Sequence, residues 1–172
     1  TGRILDVLAE KNVKATFFVV GTMAESNSDM LKRMADEGHE LQNHTYSHRN
    51  LRYLPDVEIE RELIRTANVI RRITGKSSRF FRPPGGHQNG NLAYATGKFG
   101  YSAIFWTVNC SKNEGTKPEN IINQVSSEIK PGSIVLMHNL EDVTLMALPS
   151  VIDSLRAKGY KLVTLSELLS AS

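Results

Sequence analysis

The sequence predicts an α/β fold in which a parallel sheet is covered by helices. Two observations carry that expectation. Short apolar runs alternate with helical patterns along the whole chain. The runs are mostly apolar throughout rather than at every second residue, as strands buried on both faces are. A third observation concerns the start. The chain opens on a helical pattern with no strand before it, so a sheet closed into a barrel has one vacant position between its first and last strands. An unpaired parallel edge leaves a row of amides without partners, which points to a segment upstream.

Taken in order, RILDVLAEK (3–11) has helical periodicity, and KATFFVVG (14–21) is a buried-strand run ending at Gly21. SDMLKRMADEG (28–38) reads as a helix capped by Ser28 and stopped by Gly38. HELQNH (39–44) is the next strand, and DVEIERELIRTANVIRRITG (56–75) is a long amphipathic helix between Pro55 and Gly75. SRFFR (78–82) is a short strand broken by Pro83 and Pro84. NLAYATGKFG (91–100) is a weak helix, followed by the strand YSAIFWTV (101–108). PENIINQVSSEI (118–129) places a proline in a favourable first-turn position. GSIVLMH (132–138) is a strand, LPSVIDSLRAKG (148–159) a helix, YKLVT (160–164) a sixth strand and LSELLSA (165–171) a last helix. No repeat, low-complexity tract or linker interrupts the chain, so residues 1–172 are expected to form a single domain.

Composition narrows the function classes. Hydrophobic content of 40% and charged content of 23% belong to an ordinary globular domain. The net charge of +3 comes from basic residues spread along the chain, and their densest cluster, RELIRTANVIRR, has the spacing of a solvated helix face. That argues against nucleic-acid binding and favours an anionic polymer only weakly. One cysteine, Cys110, excludes an intrachain disulfide and is expected to be a small buried residue. No apolar run approaches a membrane span, and the first residues lack the features of a signal peptide.

The chemistry-bearing residues gather at strand ends. In a (β/α) barrel the reactive groups occupy the carboxyl ends of the strands, and here those ends carry Asn43, His44 with His48, Arg82, Asn109 and His138. His44 and His48 form an H-x3-H pair suited to a divalent metal. Two neutral imidazoles leave the cation's charge intact, so a carboxylate is expected to join them. None of the 18 acids falls at a strand's carboxyl end; Glu114, Glu141 and Asp142 lie in nearby loops, and the alternative source is the absent strand. Arg82 precedes a proline and is biased to an extended backbone, while Gly85 in FRPPGG offers a backbone N–H to a developing oxyanion. His138 directly follows a buried run and, with a metal pair on the same rim, reads as a general acid. His39 opens its strand at the opposite end and reads as structural; His87 is a weaker substrate contact.

In order, HTYSH, RPPGG and LMH resemble the motifs of the NodB-homology polysaccharide deacetylases, carbohydrate esterase family 4. The flanks ILDVLAEKNVKATFFVVG, GHELQNHTYSH and ALPSVIDSLRAKGYKLVTLSELL extend the resemblance over nearly the entire chain. It implies a distorted seven-stranded (β/α) TIM-like barrel whose first strand is missing from this chain. It also implies removal of N-acetyl groups from an N-acetylglucosamine polymer such as peptidoglycan or chitin, in the extracellular space or cell envelope. By resemblance, His44 and His48 ligate Zn2+, with Co2+ or Ni2+ as substitutes. His138 protonates the leaving amine, Arg82 orients the catalytic base, Leu136 lines the acetyl pocket, and Gly85, Pro84 and Trp106 contact substrate. The family's TFDDG motif supplies the base and the third ligand and would lie just upstream of Thr1.

Two departures accompany the resemblance. Many members carry tyrosine where this chain has Gly85. The family's Asp-x-x-Asp motif aligns with NCSKN, so Asn109, Lys112 and Asn113 stand in that stretch. Asparagine accepts a histidine N–H but adds no charge, so the imidazolium is less favoured, by about 1.4 kcal/mol for each pKa unit lost. Two alternatives therefore stay open: a degenerate barrel that binds glycan without cleaving it, and an unrelated metal hydrolase drawing its carboxylate from Glu114, Glu141 or Asp142.

Overall fold

A computed structural model describes residues 1–87, 97–110 and 116–170. They form two compact units, Thr16–Phe105 and the combination of Thr1–Ala15 with Trp106–Ser172.

In the first, four parallel strands run in chain order: β1 (Thr16–Val19), β2 (Glu40–Asn43), β3 (Phe80–Phe81) and β4 (Ser102–Ala103). β1 and β2 pair from Thr16↔Glu40 to Val19↔Asn43, and Asn43 then meets Phe81. Gln42 ties β2 to β3, its side-chain oxygen accepting the N–H groups of Arg79 and Phe80 at 2.9 and 2.8 Å. The helix Asp56–Thr74 buries Ile59, Leu63, Thr66 and Ile70 at helical spacing and ends at Gly75, whose φ of 68° is the left-handed stop that glycine adopts at least cost. Ile59 and Leu63 pack with Leu51, Leu54 and Phe81.

The sequence places one strand at 101–108, and the structure divides it. β4 ends at Ala103, and the next strand, β5, is Val108–Asn109. Between them the carbonyls of Ile104 and Phe105 accept Arg82 Nε and Nη2 at 3.2 and 3.3 Å, so a side chain takes acceptors that a ladder would otherwise use. A short helix, Gly21–Ser26, was also not expected, because it has no side-chain cap. Its first N–H groups are satisfied from elsewhere in the chain: Gly21 N–H donates to Thr45 O at 3.0 Å and Thr22 N–H to Tyr46 O at 2.9 Å.

In the second unit, β5 and β6 (Val135–Leu136) are parallel, with Asn109 opposite Leu136. The helices Gly2–Glu10, Pro118–Glu128, Asp142–Ala157 and Leu165–Ser170 accompany them. The core joins Val108, Cys110, Ile121, Val125, Ala147, Val151 and Leu155. Burial pushes the Cys110 thiol up to about 11, consistent with a small apolar role. The helix expected from Leu148 begins six residues earlier. Pro149 lies inside it rather than in its first turn, because the buried face Thr144, Ala147, Leu148, Val151 and Leu155 runs straight through the proline.

Residues 160–164, expected as a sixth strand, form no strand among the described residues. Tyr160 N–H turns back to Leu155 O at 3.0 Å, Tyr160 and Leu162 pack onto the core, and Thr164 bonds Glu167 ahead of the last helix. The apolar alternation there serves packing rather than a ladder. Of the weak helix at 91–100, residues 91–96 lie outside the described residues and 97–99 are helical. No helix among the described residues is long and apolar enough to cross a membrane.

Candidate active site

His44 continues the line of β2, its N–H donating to Val19 O at 3.0 Å. His44 Nδ1 lies 2.7 Å from the carbonyl oxygen of Arg82. A carbonyl only accepts, so Nδ1 carries the proton and the lone pair falls on Nε2, the arrangement typical of a metal-ligating histidine. The His48 ring stands edge-on to it, with centroids 4.9 Å apart. The pair does not meet along a helix. The intervening loop turns through left-handed backbone at Thr45 (φ 66°) and His48 (φ 58°), a conformation costly for residues with a Cβ.

That backbone is held by neighbours on several sides. Asn43, fully buried, accepts Thr45 N–H at 2.9 Å and donates to Leu63 O and Tyr101 Oη. The Glu62 carboxylate, 8% exposed, accepts the N–H groups of Tyr46 and Ser47 at 2.9 and 2.8 Å and the Ser47 hydroxyl at 2.6 Å. Tyr46 donates its hydroxyl to Glu25 at 2.6 Å, and the Arg65 guanidinium sits 3.5 Å from its ring centre. That hydrogen bond lowers the Glu25 pKa and raises that of Tyr46. Gly21 permits the close approach: a Cβ there would come within 2.5 Å of Tyr46 Cδ2 and 2.9 Å of Thr66 Oγ1. Gly21→Ala is therefore expected to destabilise the protein by about 1–3 kcal/mol and to shift the His44 and His48 ring resonances, checked by urea denaturation and NMR. Unchanged stability and spectra would refute the packing argument.

Arg82 is 8% exposed and bonds two carbonyls, and its guanidinium lies 4.2 Å from the Phe18 ring centre. Burial lowers its pKa to about 10, the direction desolvation gives. Pro84 is buried, whereas Gly85 is exposed and left-handed at φ 68°. The His87 imidazole stands over Gly85, 2.8 Å from where a Cβ would project. His39 is buried, edge-on to Phe17, and lies 3.7 Å from Glu37, as a structural residue would.

The remaining candidates belong to the second unit. Asn109 is exposed on β5, beside Leu136 on β6, which is buried; Trp106 is half-buried. His138 follows two residues after Leu136, and its side chain is 49% exposed. Glu141 N–H donates to His138 O at 3.2 Å, closing a turn that brings Glu141 Oε1 to 3.8 Å from His138 Nδ1. Glu141, one of the three loop acids kept as alternative ligands, is the carboxylate beside the candidate acid. Asp142 opens the following helix, while Glu114, Lys112 and Asn113 lie outside the described residues. Among the described residues, no group of three histidine, cysteine or carboxylate side chains is gathered for a metal.

Sequence reasoning missed Glu62 and Gly21. Glu62 left one signal, a carboxylate within the buried stripe Ile59, Leu63, Thr66 of an amphipathic helix. Gly21 left none beyond ending a strand.

Residues 1–104 match the family model for polysaccharide deacetylase. Over the whole chain the sequence is 37% identical to a peptidoglycan-N-acetylglucosamine deacetylase of Bacillus cereus, and spans 64% of that relative's length. It is 31% identical to a chitooligosaccharide deacetylase of Sinorhizobium fredii, covering 93% of this chain and 81% of that one. Among solved structures, BA3943 of Bacillus anthracis, a CE4 family pseudoenzyme, superposes with a TM-score of 0.92 at 34% identity, over 98% of this chain and 59% of that one. A mutant of it has restored enzymatic activity. The motif order, the parallel α/β fold and these matches agree: the chain belongs to the polysaccharide deacetylase family.

Proposed function

We propose that the full-length protein removes N-acetyl groups from an N-acetylglucosamine-containing polysaccharide, and that it depends on a divalent metal. The observation that supports this most is the His44–His48 pair, with the His44 tautomer set by the Arg82 carbonyl. The donors fit Zn2+: two adjacent imidazoles, one oriented through its other nitrogen, leave room for a carboxylate and a water. A bound Zn2+ would polarise the acetyl carbonyl and lower the pKa of a water. The third ligand and the base are assigned to acidic residues beyond those described, as the family's first motif implies. Co2+ and Ni2+ suit the same donors.

This chain's residues supply the rest. Arg82 brings a buried cation to orient the base, and the Gly85 N–H is assigned to the oxyanion. His138 Nε2 gives its proton to the amine nitrogen as the C–N bond breaks, so that amide and water become acetate and amine. The Glu141 carboxylate lies 3.8 Å from Nδ1 of that ring and is assigned to orient it. Leu136 and Trp106 are assigned to the acetyl pocket and substrate contact, with Pro84 supporting the turn that presents Gly85. An extracellular or envelope location follows from the substrate.

Chelation is expected to abolish acetate release from acetylated chitooligosaccharides, and added Zn2+ or Co2+ to restore it. Release indifferent to chelator would refute metal dependence. A second reading, glycan binding without cleavage, is favoured by the likeness to BA3943 and by Asn109. Substrate binding in full-length protein that releases no acetate at any metal loading would establish it.

A further inference from the structure

We infer that Glu62 is a positioning residue for the histidine pair: its carboxylate is the clamp that fixes the loop through which His44 and His48 meet. The inference rests on the metal reading above. The connection between the two rings is three residues long and carries left-handed backbone at Thr45 and at His48 itself. Histidine tolerates positive φ better than most residues, but β-branched Thr45 resists it, so the loop needs support from outside its own sequence. The two central N–H groups, those of Tyr46 and Ser47, both donate to one oxygen of Glu62, and the Ser47 hydroxyl donates to the other. Glu62 comes from the helix Asp56–Thr74, whose neighbouring residues Ile59 and Leu63 are wholly buried, so the clamp stands on a rigid support. Charged hydrogen bonds of this kind are the stronger class, and these three supply partners to a carboxylate that burial would otherwise penalise.

The geometry separates positioning from charge. In Glu62→Gln the amide oxygen accepts both backbone N–H groups, and the amide nitrogen donates to the Ser47 oxygen, so all three bonds survive with the charge removed. In Glu62→Leu all three are lost at similar volume.

The test uses full-length protein, Co2+ as the probe, and two readouts. Co2+ titration followed by its visible absorption gives metal affinity and ligand geometry, and hydrogen exchange in metal-free protein reports the Tyr46 and Ser47 amides. Glu62→Leu is expected to weaken Co2+ binding about 10–100-fold, the usual cost of losing an orienting partner. It should also speed exchange of both amides at least about tenfold while distant core amides stay protected. Glu62→Gln is expected to stay within about threefold of the parent in both readouts, with the same absorption envelope. Equal loss in Glu62→Gln and Glu62→Leu would overturn positioning in favour of charge. Parent-like affinity or exchange in Glu62→Leu would overturn the clamp. A parent protein that takes up no Co2+ would overturn the metal reading, and the purpose given to Glu62 with it, and is told apart because it precedes any substitution.

Discussion

His44→Ala in the full-length protein is expected to lower kcat/KM for acetate release by about 10³-fold or more, equivalent to about 4 kcal/mol of barrier. Two effects combine in that figure. One imidazole and at most one carboxylate do not hold Zn2+ with the coordination that catalytic sites use. The His44 ring also occupies the Arg82 carbonyl, so its loss leaves that oxygen without the 2.7 Å bond. Because His44 lies at the end of a paired strand, with its own N–H bonded to Val19 O, the backbone is expected to survive the substitution. Thermal stability of the metal-free protein should therefore change little, while the stabilisation gained on adding Zn2+ disappears. Activity within tenfold of the parent would mean that the metal, if one is used, binds elsewhere.

His138→Ala is expected to lower kcat by about 10²–10⁴-fold, the usual contribution of a positioned general acid, with little change in KM. His138→Gln keeps a polar side chain of similar size but has no acidic N–H, so it should fall as far as His138→Ala, and added imidazole should partly restore turnover to the alanine variant. Parent-like kcat in either variant would remove His138 from the reaction.

Much of the fold was legible because periodicity reports burial directly. The strand at 14–21 and the helices at 28–38 and 56–75 lie where apolar spacing places them. What failed depended on partners distant in sequence. The run 101–108 looked continuous, yet Arg82 takes the carbonyls of Ile104 and Phe105 and the ladder breaks there. The 160–164 run has strand composition, but its bonds turn back to Leu155 and forward to Glu167. The helix placed at 148–159 starts earlier, at Asp142, because burial on one face carries it through Pro149.

The site divides in the same way. His44 and His48 were legible from identity and spacing, but not the left-handed loop that joins them. What makes that loop possible, Glu62 from a helix and Gly21 beneath Tyr46, is a matter of tertiary contact. Glu141 was noticed as an acid in a nearby loop and kept as one of three alternative ligands. Only the turn closed by its N–H to His138 O shows which ring it faces.

An anomalous-scattering map at the zinc edge, from crystals of the full-length protein grown with Zn2+, measures the central point most directly. One peak is expected about 2.0–2.1 Å from both His44 Nε2 and a His48 ring nitrogen, with at least one carboxylate oxygen at similar range. No peak there, or a peak bound by other side chains while the two imidazoles stand apart from it, would contradict the assignment of this pair as the metal site.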